Sequence, residues 1–197
     1  MREMINMVVV LTVLSAFSGG LLAALKDGTK ERIENQELSL VKGPAVMNLL
    51  KGASNDPLTD RFKMKVGEAE KSFFVGVFDG KPNSVAFEVP GKGFADNIGL
   101  MVGFNVDTDK LIGVNVTTIK DTPGLGANAK EDPKWAAQFS GKSVDETFKV
   151  TADGGDINAI SGATITSQGV CNAANDAANI YKEIKPELLT KLKEVKP

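Results

Sequence analysis

Residues 5–25, INMVVVLTVLSAFSGGLLAAL, run for 21 positions without a formal charge. As a helix this run is roughly 31 Å long, about the hydrocarbon thickness of a bilayer. Only a helix satisfies its own backbone polar groups in lipid over such a length without help from other segments. The first element is therefore expected to be a single transmembrane anchor at 5–25 behind a short flank at 1–4. Asn6, Thr12, Ser15 and Ser18 carry no charge, and the pair Gly19-Gly20 is tolerated in a membrane helix. The competing reading is a cleavable signal peptide with Ala23-Ala24 near the cleavage site, but its apolar region is normally shorter. Local charge gives an uncertain orientation. Arg2 precedes the run, while Lys26, Lys30 and Arg32 follow it, diluted by Asp27, Glu31 and Glu34. A bare Lys/Arg count places the C-terminal part in the cytoplasm.

The remainder of the 197 residues suffices for one domain with a proper core. The chain holds no histidine. That excludes His-ligated zinc, His-ligated haem and any nucleophile activated by an imidazole. Its one cysteine, Cys171, excludes an internal disulfide, a Cys-ligated zinc and an iron–sulfur cluster. No metal site is expected. A net charge of -2 gives no electrostatic reason to expect a nucleic-acid partner. Redox chemistry in such a chain has to belong to a bound cofactor.

After the anchor, 26–60 reads as stem and linker: a polar stretch that can extend the helix, then Gly43-Pro44 and Asn55-Asp56-Pro57, with a short helix from Pro44 to Leu50. From Arg61 the period changes to two. Arg61–Val66, Ser72–Phe78 and Ser84–Val89 read as strands, and Pro90-Gly91-Lys92-Gly93 as a turn. Ile98, Leu100, Val102, Phe104 and Val106 alternate with Gly99, Met101, Gly103 and Asn105; Ile112, Val114 and Val116 follow the same rule. These two runs predict an antiparallel hairpin with one buried face and one glycine-rich face open to backbone or a flat ligand. Asp132-Pro133 starts a short helix carrying Trp135 and Phe139, ended by Gly141. A strand at Phe148–Thr151 and a turn at Asp153–Asp156 lead to a helix from about Thr166 to Ile184, with Pro186 breaking it. The fold class is α+β: an antiparallel sheet with flanking helices over 61–185, and a charged tail at 186–197.

Seven residues leading into that last helix, Ser161-Gly162-Ala163-Thr164-Ile165-Thr166-Ser167, concentrate hydroxyls around a glycine. They suit an ordinary helix start, with Thr166 or Ser167 as the cap. They equally suit a phosphate held by a helix N-terminus, with a threonine hydroxyl as ester acceptor. No Walker A loop accompanies them. The loop Asp121-Thr122-Pro123-Gly124-Leu125-Gly126-Ala127 is by itself a tight turn. Trp135 and Phe139 read as core, Cys171 as a small buried residue, Lys142 as a solvated lysine, and Asp153 and Asp156 as turn formers.

Two blocks in this order behind an anchor resemble a known family. Asn158-Ala159-Ile160 with SGATITS resembles the flavinylation motif of FMN-binding domains in Rnf complexes and in Na+-translocating NADH:quinone reductase (Nqr). TPGLGANAKEDPKWAAQFSGK, Thr122 to Lys142, resembles the family pattern TPGLG followed by W, QF and GK. The length is most like the G subunit of Rnf complexes, the C subunit of Nqr usually being longer. The resemblance implies a membrane-anchored electron-transfer protein within such a complex, an electron carrier rather than a catalyst on its own. It implies covalent FMN on Thr164 through a phosphoester, with Ser161, Gly162 and Ala163 read by a flavin transferase. Ile165 lies within the same motif, and Thr166 and Ser167 stand where the helix start would hold the phosphate. Thr122, Gly124, Leu125 and Gly126 match the loop against the flavin ring. Other membrane subunits of the complex are the implied partners, and the flavin domain is implied to lie outside the cytoplasmic membrane, against the bare charge count. Two departures stand out: Asn158 replaces a usual Asp, and Asp121 a frequent Glu. The alternatives are the C subunit of Nqr and a membrane-anchored assembly module without a flavin.

Overall fold

The computed structural model of the chain describes residues 1–194; the last three positions of the expected tail lie outside the described residues. The chain divides into two compact units, one ending at Leu40 and one beginning at Val41. The first is a single helix, α1 (Arg2–Glu37), which absorbs the expected polar stem as well as the apolar run. It contains an apolar window of mean hydropathy 2.3, long enough to cross a membrane. Within it, the hydroxyls of Thr12 and Thr29 donate back to the carbonyls of Val8 and Leu25, one turn earlier. A short π-helical stretch covers Leu38–Lys42.

The second unit opens with α2 (Gly43–Leu49) and then forms a five-stranded antiparallel meander in sequence order: β1 (Arg61–Val66), β2 (Ala69–Phe78), β3 (Lys81–Lys92), β4 (Asn97–Asn105) and β5 (Lys110–Thr118). Two short helices follow, α3 (Asn128–Glu131) and α4 (Pro133–Ala136), then the long α5 (Thr164–Leu192). The period-two runs located every strand. Pro90 is a correction: it lies inside β3, paired with Gly99, and not in a turn. The β2 partner of β3 reaches only to Phe87, so at Pro90 the strand is paired on one side alone and the missing N–H costs little.

The main core lies between one sheet face and α5. A row of rings crosses that face: Phe62, Phe73, Phe87 and Phe104, with centroid spacings of 5.7, 5.0 and 5.5 Å, ending on Tyr181 of α5 at 4.6 Å. Cross-strand aromatic neighbours of this kind fix register as well as bury area. The Tyr181 hydroxyl donates to Asp109 in the β4–β5 turn (2.7 Å), and Lys185 donates to the same carboxylate at 2.6 Å. Lys185 and the tyrosine hydroxyl hold Asp109 below the usual carboxylate range against burial; burial, then Asp109, push the Tyr181 phenol up.

The opposite face is not open. Leu49 of α2 stands over Gly103 and Gly113, where added Cβ atoms would lie 3.6 and 3.4 Å from it, and Leu50 stands over Gly76. Of the glycines that suggested an approaching flat ligand, Gly103 and Gly113 instead admit α2, while Gly99 lies against the side chains of Thr117, Thr118 and Glu88; β4 is buried on both faces. α2 thus belongs to the compact unit and not to a linker. The Asn55 side chain fastens the following loop, donating to Val75 O and accepting from Val77 N–H.

Two further expectations are corrected. Phe148–Thr151 forms no strand; the Asn175 side chain of α5 accepts from Phe148 N–H and donates to its carbonyl, taking the place of a neighbouring strand. Only an isolated bridge, Val150 to Ile157, remains. Nor does Pro186 break α5, which continues to Leu192. The two turns beyond it bury Leu188 completely and Leu192 to 3 % exposure, and this offsets the lost hydrogen bond. Leu188→Ala is accordingly expected to lower unfolding stability by about 2–5 kcal/mol in a urea titration; a loss within error of zero would return these turns to the status of a tail.

Candidate functional site

α5 begins at Thr164, two residues before the sequence placed it, with Ala163 as the capping position. Gly162 precedes it at φ 73, a left-handed backbone that lets the chain turn into the helix. The first intrahelical bond runs from Ser167 N–H to Ala163 O. The amides of Thr164 to Thr166 therefore form the first turn, whose N–H groups point outward and carry the positive end of a 29-residue helix.

The four hydroxyls of the stretch have different fates. Thr166 and Ser167, expected as caps or phosphate contacts, are buried. Ser167 donates to Ala163 O and accepts from Ile160 N–H, both at 3.0 Å. Thr166 donates to Asp121 Oδ2 at 2.6 Å. Ser161 and Thr164 are exposed. Among the described residues the Thr164 hydroxyl has no hydrogen-bond partner, and it alone of the four is both exposed and on the wall of a cavity.

That cavity has a volume of about 410 Å³. Gly162, Ala163, Thr164, Ile165 and Thr166 form one side, and Thr122, Leu125 and Gly126 the other, so the two distant sequence blocks meet. Ser161, Ser167 and Gly124 are not on its walls. Two residues that sequence reasoning did not place in the site are: Asp121 and Phe94.

Asp121 organises this corner. It is 6 % exposed, and its carboxylate accepts from Ala95 N–H (2.8 Å), Phe94 N–H (3.2 Å) and the Thr166 hydroxyl. One carboxylate thus joins the β3–β4 turn, its own loop and the start of α5. Burial raises its pKa, but the Ala95 amide, the Thr166 hydroxyl and the Phe94 amide outweigh it, so the group sits below the ordinary value of 3.8. Gly126 is required beside it, because a Cβ there would lie 2.6 Å from Asp121 Cβ and 2.8 Å from Thr166 Oγ1. The sequence signal for Asp121 was its place at the head of the TPGLG block. The signal for Phe94 was a lone aromatic in a polar turn.

The second block fastens the segment before the motif. Trp135 Nε1 donates to Asn158 O at 2.7 Å, and Gln138 Oε1 accepts from Asn158 N–H at 2.8 Å. Trp135 and Phe139 are core, as expected. Lys142 is a correction: its side chain is only 17 % exposed and is paired with Asp156, with Glu146 at 3.7 Å. Asp156 is thus more than a turn former, and so is Asp153, which accepts from Gln168 of α5. Cys171 is buried, which pushes its thiol up to about 12.

The cavity fits a phosphorylated flavin on its own features. It has an exposed, unspent hydroxyl at a helix N-terminus, apolar walls, and glycines where side chains would obstruct. Fold and site together define an FMN-binding domain, and residues 93–179 match the FMN-binding domain family. At full length the chain belongs to the family of G subunits of ion-translocating oxidoreductase complexes. It is 30 % identical to the G subunit of Salmonella typhi over 194 residues, covering 93 % of each chain, and 30 % identical to that of Methanosarcina acetivorans, covering 90 % of this chain and 94 % of the relative. The Aliivibrio fischeri protein of the same name is 33 % identical over 144 residues, 70 % of this chain and 64 % of that relative. The fold is shared with the crystal structure of Shewanella oneidensis NqrC (TM-score 0.51, 24 % identity, 73 % of each chain). It is also shared with the C subunit of Na(+)-translocating NADH-quinone reductase from Parabacteroides distasonis (TM-score 0.52, 24 % identity, 66 % of this chain and 70 % of that one).

Because the folded pKa of Asp121 lies below its unfolded value, its contribution is complete above about pH 4 and fades as pH falls through the folded pKa. Asp121→Asn puts an amide donor against donors and is expected to cost about 1–3 kcal/mol at neutral pH. The difference between wild type and variant in urea titrations should shrink towards pH 2–3. A pH-independent difference would show that the carboxylate's charge is not what holds the three segments.

Proposed function

We propose that the chain is the membrane-anchored, flavin-bearing electron-transfer subunit of an Rnf-type ion-translocating oxidoreductase, with FMN joined to Thr164 through a phosphoester. The observation that carries this reading is the hydroxyl partition: Thr164 is exposed, unspent and on the cavity wall, while Thr166 and Ser167 are committed to the fold. With a flavin dinucleotide as the donor, the Thr164 oxygen would give up its proton and bond to the FMN phosphorus while the anhydride P–O bond breaks and the nucleoside monophosphate leaves, so the protein would gain one FMN less one water. A flavin transferase is the agent that matches an exposed SGAT at a helix start.

When bound, FMN supplies the one- and two-electron redox chemistry that the side chains of this chain lack. The chain's own part is placement. The first-turn amides of α5 face the phosphate position, and their partial positive charge suits it. Leu125 and Ile165, 43 % and 50 % exposed, offer apolar surface beside Thr164. Asp121, held anionic, fixes the mutual position of the walls. No side chain here breaks a substrate bond; the protein passes electrons between neighbours in the membrane, on the ferredoxin-to-NAD+ route of an Rnf-type complex. α1 is the anchor, and the FMN-binding domain stands on the extracytoplasmic side; local charge steers a long translocated domain poorly. The ion path belongs to other subunits, since residues 5–25 carry no ionisable side chain.

Membership in the Nqr complex as its C subunit is the second reading, favoured by the shared fold. The near-complete matches to the G subunits of ion-translocating oxidoreductase complexes, over both chains, favour the first. An assembly module without a flavin is the third, and one measurement separates it. On co-expression with a flavin transferase, intact mass should rise by FMN less water, Thr164→Ala should abolish the gain, and Thr166→Ala should retain it while costing about 1–3 kcal/mol of stability. Unchanged wild-type mass would sink the covalent assignment, and loss of the gain in Thr166→Ala alone would move the site by two residues.

A further inference from the structure

Five large apolar side chains are exposed among the described residues of the second unit: Met47, Phe94, Leu125, Ile165 and Leu189. Three of them, Phe94, Leu125 and Ile165, wall the same cavity as Thr164. Phe94 is the most exposed of the five, at 70 %, and the only aromatic on that wall. The rings Phe62, Phe73, Phe87, Phe104, Trp135, Phe139, Phe148 and Tyr181 all pack into the core.

Phe94 is not exposed through looseness of its backbone. Its N–H and that of Ala95 are both donated to the buried Asp121 carboxylate, and Gly93 N–H closes the turn on Asp96 O at 3.0 Å. A Cβ at position 93 would lie 2.7 Å from that carbonyl, so the turn is tight. The carboxylate that positions Phe94 also accepts from Thr166, two residues beyond Thr164. The phenyl and the Thr164 hydroxyl are therefore built from one rigid corner, with the apolar ring left in water.

We infer that Phe94 is a positioning residue whose phenyl ring covers one face of the isoalloxazine ring of FMN held at Thr164. The inference rests on the covalent-FMN reading above. A flat, largely apolar ring system at this cavity would remove Phe94 from water, and aromatic rings favour offset stacking or edge contact over isolation. Leu125 and Ile165 have apolar surface but no π system. Phe94 is thus the one group on this wall able to stack on a flat ring system.

The test uses the full-length chain co-expressed with a flavin transferase, as wild type, Phe94→Ala and Phe94→Trp. Intact mass is read first. All three should carry the FMN gain, because Phe94 is not the attachment point. Flavin fluorescence is read next. Phe94→Trp should quench it several-fold, since an indole in contact with an excited flavin donates an electron to it and recovers it. Phe94→Ala should raise quenching by iodide about twofold, one of two ring faces having been uncovered. Mass gain in all three with wild-type fluorescence and iodide access would overturn the inference and leave the Thr164 reading standing. The same result with weakened assembly into the membrane complex would also overturn it, assigning the phenyl to a partner surface. Absence of mass gain in the wild type would overturn the attachment and the role of Phe94 with it.

Discussion

The corner of this domain that bears the cavity depends on one buried carboxylate. Asp121 accepts hydrogen bonds from three segments that the chain visits far apart: the β3–β4 turn, the TPGLG loop and the first turn of α5. A buried charge is costly unless it is fully paired, and here backbone amides and one hydroxyl pair it, with no cation among the described residues. The choice has a consequence for the cavity. A lysine or arginine partner would bring a mobile positive side chain to the wall, whereas amides hold the charge with groups that cannot swing away. The result is a rigid frame around an otherwise lightly functionalised pocket.

A second carboxylate plays the matching part further along the helix. Asp109 receives Tyr181 and Lys185, fastening the later turns of α5 to the β4–β5 turn, while the aromatic row beneath fixes the helix across the strands. α5 is thus held at its start and again at Tyr181 and Lys185, and its N-terminus, with Thr164, stays in place relative to the sheet. Close approach does the rest: Gly169 lies so near the end of β3 that a Cβ would sit 2.0 Å from Lys92 O. Rigid placement is what an electron carrier needs from its protein, because the side chains contribute no chemistry of their own.

The strands were legible in the sequence because their burial is periodic, and alternation survives even where glycines interrupt it. What alternation could not reveal was occupancy of the second face. Gly103 of β4 and Gly113 of β5 read as open space, yet the space is filled by Leu49 of a helix whose seven residues carry no strong pattern. Pro90 and Pro186 failed as punctuation for a common reason. A local rule about proline assumes that the missing N–H matters, and at both places tertiary context outweighs it: single-sided pairing at Pro90, and burial of Leu188 and Leu192 beyond Pro186. Phe148–Thr151 kept its strand-like pairing but found it in a side chain, Asn175, which no period reports.

The site was legible in outline, since both blocks face one cavity. Residue type alone treats Ser161, Thr164, Thr166 and Ser167 as four like hydroxyls; it was the family resemblance that pointed to Thr164 and gave Thr166 and Ser167 a part at the phosphate. Folding makes them unequal by burial and by position on the cavity wall. Two of them stabilise the helix start and the Asp121 corner, and so are removed from reach of any external reagent. One is exposed but stands off the cavity wall. Only Thr164 remains both reachable and adjacent to the apolar surfaces of Leu125, Ile165 and Phe94. On the covalent-FMN reading proposed above, Thr164 is the hydroxyl that exposure and position on the cavity wall single out together.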